Sequence, residues 1–429
     1  MRDYFDIDYW INFFTGSDAR KRLTENFISL SVLQGLNYLL PLVTLPYLVR
    51  VLGPEKFGLI AFAQAFVGYF QIITDYGFNL SATREVSIHR ESKEKVSEIL
   101  SSVMVIKFLL LLLSLVIISS IIITFEKFRQ DWLIYYFTFF MVLGQVLFPV
   151  WFFQGMERMK YITFLNILAK LIFTVAIFVF IKKESDYLYV PLLNSSGYII
   201  AGLLALWIVF KDFNIEFKMP RYESLKHNLE EGWIFFKTNT FISAYRETNV
   251  FVLGLVSNNI ITGYYSIAER ILKAVQSLQS PIGQALYPVF CTKYSEDKKS
   301  FKLYHFKYLK LIILIYALIN VFIMLFSNNI IKLIAGNFIY ESALDLRILS
   351  VVILVGGLNY YFGILGLIPL KHEKFFSNFV LIVGSLNVIL CLMLSILFKD
   401  LGASLSLVSS ETILLILILI KVKTIKNNL

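Results

Sequence analysis

Two adjacent apolar segments, 232–256 and 261–288, carry Lys237, Arg246, Glu247, Glu269, Arg270 and Lys273. Each segment is long enough to cross a bilayer. A charge at the centre of a spanning helix costs ~2.5–3.5 kcal/mol on insertion scales. Several such charges kept in neighbouring helices point to a water-filled cavity that receives a charged ligand. In the second segment Ser266, Glu269, Arg270, Lys273, Gln276, Ser277, Ser280 and Gln284 follow i, i+3, i+4, i+7 spacing, which predicts one polar face along a single helix. Arg246 lies about ten residues from the outer end of the first segment and Arg270 about nine from the outer start of the next. At 1.5 Å per residue both sit roughly 13–15 Å deep, so antiparallel neighbours hold the two guanidinium groups at one level.

Elsewhere in apolar stretches stand Lys107 and Lys170, which with Lys237, Arg246, Arg270 and Lys273 make six core cations. The clear core acids are Glu247, Glu269 and Glu411, and Asp75 sits near the inner end of its span. The remaining excess of positive charge matches a diphosphate, whose oxygens the arginine fork bonds in pairs. Any ion coupling by H+ or Na+ falls to Glu269, Glu247 or Glu411. The four histidines all lie outside the spans, so a mid-membrane histidine relay or metal site is not expected, and no Walker loop is present. Pro41 and Pro46 each remove an amide donor from the first span, where a bend or swivel would serve as a gate.

The elements that must position these groups are membrane spans. The chain has 429 residues and is 57% hydrophobic, beyond the 45–50% usual for soluble proteins. Twelve apolar stretches are expected, near 25–49, 57–83, 99–124, 131–155, 161–181, 187–210, 232–256, 261–288, 307–326, 346–368, 375–398 and 401–420. With the N-terminus inside, inner segments hold 25 Lys and Arg and outer loops hold 9. That bias places both termini in the cytoplasm. The net charge of +10 thus reads as topology, and nucleic acid is not an expected partner. The longest outer loop expected, 327–345, is too short for the chemistry of a membrane glycosyltransferase or polymerase. Cys291 and Cys391 are read as small apolar residues.

The chain also repeats itself. An offset of 205 superposes Gly58 on Gly263, Ala63 on Ala268, Gln64 on Glu269 and Gln71 on Gln276. The expected organisation is an interfacial segment 1–22, a first lobe 23–210, a linker 211–231, a second lobe 232–421 and a tail 422–429. Parallel repeats of this kind are a transporter signature.

The block from Leu45 through Leu52-Gly53-Pro54 and Phe57-Gly58 to Phe70, followed by Asp75-Tyr76-Gly77-Phe78, resembles the polysaccharide biosynthesis family of O-antigen flippases. So do the segment from Gly263 to Ile271, the segment from Ser280 to Val289, and Leu401-Gly402-Ala403-Ser404 with Glu411. The resemblance implies a MATE/MOP-like fold: an all-α polytopic protein with twelve transmembrane helices in two six-helix lobes around a central cavity. It implies a non-enzymatic flippase in the bacterial inner membrane, carrying undecaprenyl-diphosphate-linked oligosaccharide repeat units from the inner to the outer leaflet. Its partners would be that lipid, the bilayer, and a polymerase and glycosyltransferases of the same pathway. Arg246, Arg270 and Lys273 match the family's cavity cations best, with Lys170, Lys107 and Lys237 added by depth. The alternatives are an ion-coupled drug or metabolite exporter of the same fold and a peptidoglycan-precursor flippase.

Overall fold

The computed structural model describes residues 18–296 and 298–427, without the side chains of 18–39, 42, 234, 237–246, 284–285, 293, 295–304 and 425–427. Regular structure among the described residues is helical throughout. The helices are α1 (Asp18–Asp75), α2 (Phe78–His89), α3 (Lys93–Thr124), α4 (Glu126–Gln130), α5 (Trp132–Leu147), α6 (Val150–Gly155) and α7 (Met159–Phe180). They continue as α8 (Tyr189–Lys211), α9 (Tyr222–Val256), α10 (Asn259–Gln276), α11 (Gln279–Glu296), α12 (Lys298–Ala335), α13 (Tyr340–Phe362) and α14 (Glu373–Asn427). Helix is the expected answer in lipid, where each backbone N–H and C=O must find a partner inside its own segment.

Eight stretches among the described residues are long and apolar enough to cross a membrane. Their outward faces are greasy. On α3, Phe108, Leu109, Leu112, Leu113 and Val116 are exposed while Val103, Ile106, Leu111 and Ile118 are buried. In water such a band would drive aggregation, whereas against acyl chains it is the favoured surface.

Several boundaries differ from the hydropathy reading. The α1 backbone stays helical through Pro41 and Pro46 and breaks at Gly53 (φ 68°). A second break, at Tyr76 and Gly77, cuts the expected span 57–83. A third, at Phe148 and Pro149, cuts 131–155, because a residue before proline is pushed out of the α region. The expected outer loop 327–345 shrinks to 336–339 between α12 and α13. The linker 211–231 shrinks likewise, since α9 starts at Tyr222. Its extended part is fixed by side chains of α3: Ser97 Oγ accepts from Glu216 N (3.2 Å) and Ser101 Oγ from Lys218 N (2.9 Å).

Two compact units are present. The first comprises residues up to 41, 67–182 and 188–240; the second comprises 42–66, 183–187 and 241–429. The core of the first is aromatic, with Phe78, Trp151, Phe152 and Phe153 essentially inaccessible. The second unit contains a buried polar network. Asn387 Nδ2 donates to Asn249 Oδ1 (2.7 Å), and Ser410 Oγ donates to Asn387 Oδ1 (3.0 Å). Asn249 Nδ2 donates to Tyr265 Oη and to Ala403 O, both at 3.2 Å. These contacts tie α9, α10 and both segments of α14, on either side of its break at Lys399 (φ 56°), together. Asn387→Ala strands two partners at once and is expected to cost about 2 kcal/mol. A lowered thermal midpoint of the detergent-solubilised protein would register it.

Candidate functional site

The second unit holds the candidate site, on α10. This helix starts cleanly: Asn258 caps it, its Oδ1 accepting from Ile261 N at 2.9 Å. One turn further, Gly263 faces Gly58 of α1. A Cβ on Gly58 would run into Asn259 O and the backbone of Gly263, and a Cβ on Gly263 into Pro54 O. The two repeat segments are therefore packed on one another through paired glycines, with backbones in direct approach. The aromatic flank of the contact is Phe62 and Phe66 against Phe251, both stacked at 5.8 Å.

That contact places the charges. Arg270 Nη2 donates to Gln64 Oε1 at 2.7 Å. Its guanidinium carbon lies 4.8 Å from the centre of the Phe57 ring. Glu269 is buried, 5% exposed, and accepts Lys273 Nζ one turn along at 3.1 Å. The acid is thus taken by the lysine. Among the described residues no carboxylate lies within ion-pair distance of Arg270. Glu247, half-buried on α9, is within electrostatic range of Glu269, Arg270 and Lys273. A guanidinium braced by a neutral amide and an aromatic face keeps its remaining donors and its charge for an anion.

The polar stripe expected as far as Gln284 is interrupted. Ser277 and Leu278 form a turn between α10 and α11, so Ser266 to Gln276 share one helix and Ser280 belongs to the next. The side chains of Lys237, Arg246 and Gln284 lie outside the described residues. Lys107 and Lys170 belong to the first unit. Lys107 is 2% exposed and feels the charge of Asp75, whose carboxylate accepts Asn79 Nδ2 at 2.7 Å. Lys170 is half-buried on α7. Glu411 accepts Asn359 Nδ2 at its side chain (2.6 Å) and its backbone (2.9 Å), beside Gln276 across Gly356. Pro41 is exposed and Pro46 half-buried on α1.

Some groups escaped the sequence reading. Asp345, assigned to an outer loop, is fully buried on α13 and accepts Ser404 Oγ at 2.7 Å. Asp400 is buried as well. Counting these with Asp75 gives six interior acids among the described residues, so no general excess of positive charge marks the described spans. Gln64 and Phe57 were also missed as partners of Arg270. The signal for Gln64 was present, since the repeat aligns it with Glu269, the neighbour of that arginine.

Comparison with known proteins bears on what this arrangement serves. Residues 23–293 match the family described as "Polysaccharide biosynthesis protein". A relative named "Putative O-antigen transporter" from Escherichia coli (strain K12) is 31% identical over 404 residues, 94% of this chain and 97% of the relative. One of the same name from Shigella dysenteriae is 30% identical over 268 residues, 62% of this chain and 67% of the relative. Among solved structures, the lipid II flippase MurJ in an inward closed conformation aligns with a TM-score of 0.70 at 17% identity, covering 93% of this chain and 87% of that one. An inward-facing multidrug resistance MATE family transporter of the MOP superfamily aligns with a TM-score of 0.68 at 16% identity, covering 94% and 99%. These structures speak to the fold, an all-helical membrane architecture of the MATE and MurJ type. The sequence match spans more than half the chain and one relative aligns nearly end to end: the chain belongs to the polysaccharide biosynthesis protein family.

Proposed function

We propose that this protein is a flippase that moves undecaprenyl-diphosphate-linked oligosaccharide repeat units from the inner to the outer leaflet of the bacterial inner membrane. The observation that carries the reading is Arg270, held by Gln64 and Phe57 with no carboxylate of the described residues in ion-pair contact. The names of the relatives, O-antigen transporters, supply the substrate class. A diphosphate headgroup cannot cross hydrocarbon unaided, because stripping its water costs far more than lipid contacts return. A forked cation at depth replaces that water.

In this reading the chain spans the membrane twelve times with both termini inside, in lobes 23–210 and 232–421. Lys273 and Arg246 join Arg270 as substrate-binding cations, and Lys237, Lys107 and Lys170 are further candidates for that role. Pro41 and Pro46 ease the bending of the first span. Access alternates between leaflets while the polyprenyl tail stays in lipid. An H+ or Na+ gradient biases the cycle through Glu269, with Glu247 and Glu411 as further carriers. The polymerase and glycosyltransferases of the pathway act before and after transport.

The direct test uses inverted vesicles and a lectin that reports lipid-linked sugar on the cytoplasmic leaflet. Sugar signal is expected to disappear only where intact protein is present; persistence with wild-type protein refutes the proposal. Glu269→Gln is expected to flatten the dependence of transport on a pH gradient, because the amide keeps a hydrogen bond to Lys273 but binds no proton. An unchanged dependence would remove Glu269 from coupling.

A further inference from the structure

The first unit carries an aromatic cluster that the diphosphate site leaves unexplained. Tyr76 and Gly77 are both left-handed, with φ of 47° and 78°. A bulky aromatic residue seldom adopts this conformation, and it persists only where the surroundings enforce it. Here the turn is clamped onto α9 at Gly232, Phe235 and Phe236. A Cβ on Gly77 would meet Phe235 Cβ, Phe236 N and Gly232 O, and a Cβ on Gly232 would meet the Tyr76 ring. The strained backbone thereby lays Tyr76 flat on Phe236, 5.0 Å between centroids and 19° between planes. Trp233, one turn back on the same helix face, stacks on Phe236 at 5.5 Å and 26° and lies 6.3 Å from Tyr76.

Trp233 is 47% exposed. Polar groups flank the rings in the chain: Asn79 bound to Asp75 at 2.7 Å, and the Arg84–Glu231 ion pair. We infer that Tyr76, Trp233 and Phe236 form a stacking platform for the saccharide of the transported lipid. A sugar ring offers an apolar C–H face to an indole or phenol and hydroxyl groups to flanking amides, carboxylates and guanidinium groups. A lipid tail would use the rings but not the polar flank. The inference rests on the lipid-linked saccharide reading above and adds where the sugar, as distinct from the diphosphate, is held.

The test compares two polyprenyl-diphosphate substrates in vesicles with purified protein, one bearing a complete oligosaccharide repeat unit and one a single sugar. Tyr76→Asn removes the ring while keeping a residue that tolerates the left-handed backbone. Trp233→Ala removes the indole, and Trp233→Phe keeps an aromatic face. Both ring deletions are expected to raise the half-saturating concentration of the repeat-unit substrate about tenfold, ~1.4 kcal/mol. The single-sugar substrate should be unaffected, and Trp233→Phe should recover most of the loss. Equal shifts for both substrates, or no shift for either, would overturn the platform. So would loss of Trp233→Ala protein from the membrane combined with unchanged transport by Tyr76→Asn, the pattern of an interfacial anchor. Wild-type protein that moves neither substrate would refute the flippase reading itself.

Discussion

Arg270→Ala is expected to abolish surface polysaccharide while leaving the protein in the membrane at normal levels. Removing one partner of a desolvated charge contact typically costs 2–5 kcal/mol, and about 3 kcal/mol corresponds to a loss of roughly 100-fold in transport at limiting substrate. Arg270→Lys keeps the charge but replaces the fork with a point cation, so an intermediate loss of about tenfold is expected. The sharper variant is Gln64→Glu. Gln64 Oε1 already accepts from Arg270 Nη2 at 2.7 Å. A carboxylate in that position would pair with the guanidinium and withhold it from a phosphate, so transport should fall nearly as far as in Arg270→Ala although the arginine is untouched. Gln64→Ala, which loosens Arg270 without neutralising it, should fall less. Polymer made at normal levels by Gln64→Glu would refute the anion role of Arg270.

The second large effect is expected at the glycine pair. Gly58→Val and Gly263→Val each put branched carbon where backbone of the facing segment already lies. Overpacking a core typically costs 1–3 kcal/mol through side-chain rearrangement. Here the obstructing atoms are Asn259 O and Pro54 O, main-chain groups with no rotamer to change. The cost should reach about 3 kcal/mol or more at either site, read as a large drop in the thermal midpoint of purified protein. Gly58→Ala and Gly263→Ala should be milder but still destabilising. Combining the two valines should cost less than the sum of the singles, because the first already forces the segments apart. Additive losses would mean that the glycines do not share one contact.

The charged cluster was legible because helical periodicity is a strong constraint: Glu269 and Lys273 four apart, with Arg270 beside them, must occupy neighbouring surface. The partner from the other repeat was half legible. The alignment of Gln64 with Glu269 showed that these positions are equivalent, but equivalence is not contact, and it took the Gly58–Gly263 approach to bring them together. Asp345 was misplaced for a physical reason. Glu341, Asp345 and Arg347 depress hydropathy, so the segment reads as loop. Yet Arg347 donates to Ser327 and Asn328, and Ser404 donates to one oxygen of Asp345, so both charged side chains find polar partners from within a helix. The break at Pro149 had a visible cause. Those at Tyr76 and at Ser277–Leu278 did not, since apolarity says nothing of φ. Charge counting was misled for the same reason: Lys107 looks surplus until the fold sets Asp75 within electrostatic range of it.

The amide network of the second unit also governs the order of assembly. Asn249 meets Tyr265, 16 residues later, but the donor to its Oδ1 comes from Asn387, 138 residues later. At synthesis rates of ~5–20 residues per second, that partner is made roughly seven to thirty seconds after Asn249. Through that interval its amide oxygen sits in a bundle that lacks the donor it will accept from, a state that is costly in hydrocarbon. The nascent second unit is therefore metastable until its last helix arrives. A chain terminated before Asn387 exposes an unmet polar group to lipid, and membrane quality control can recognise it without reading anything about transport.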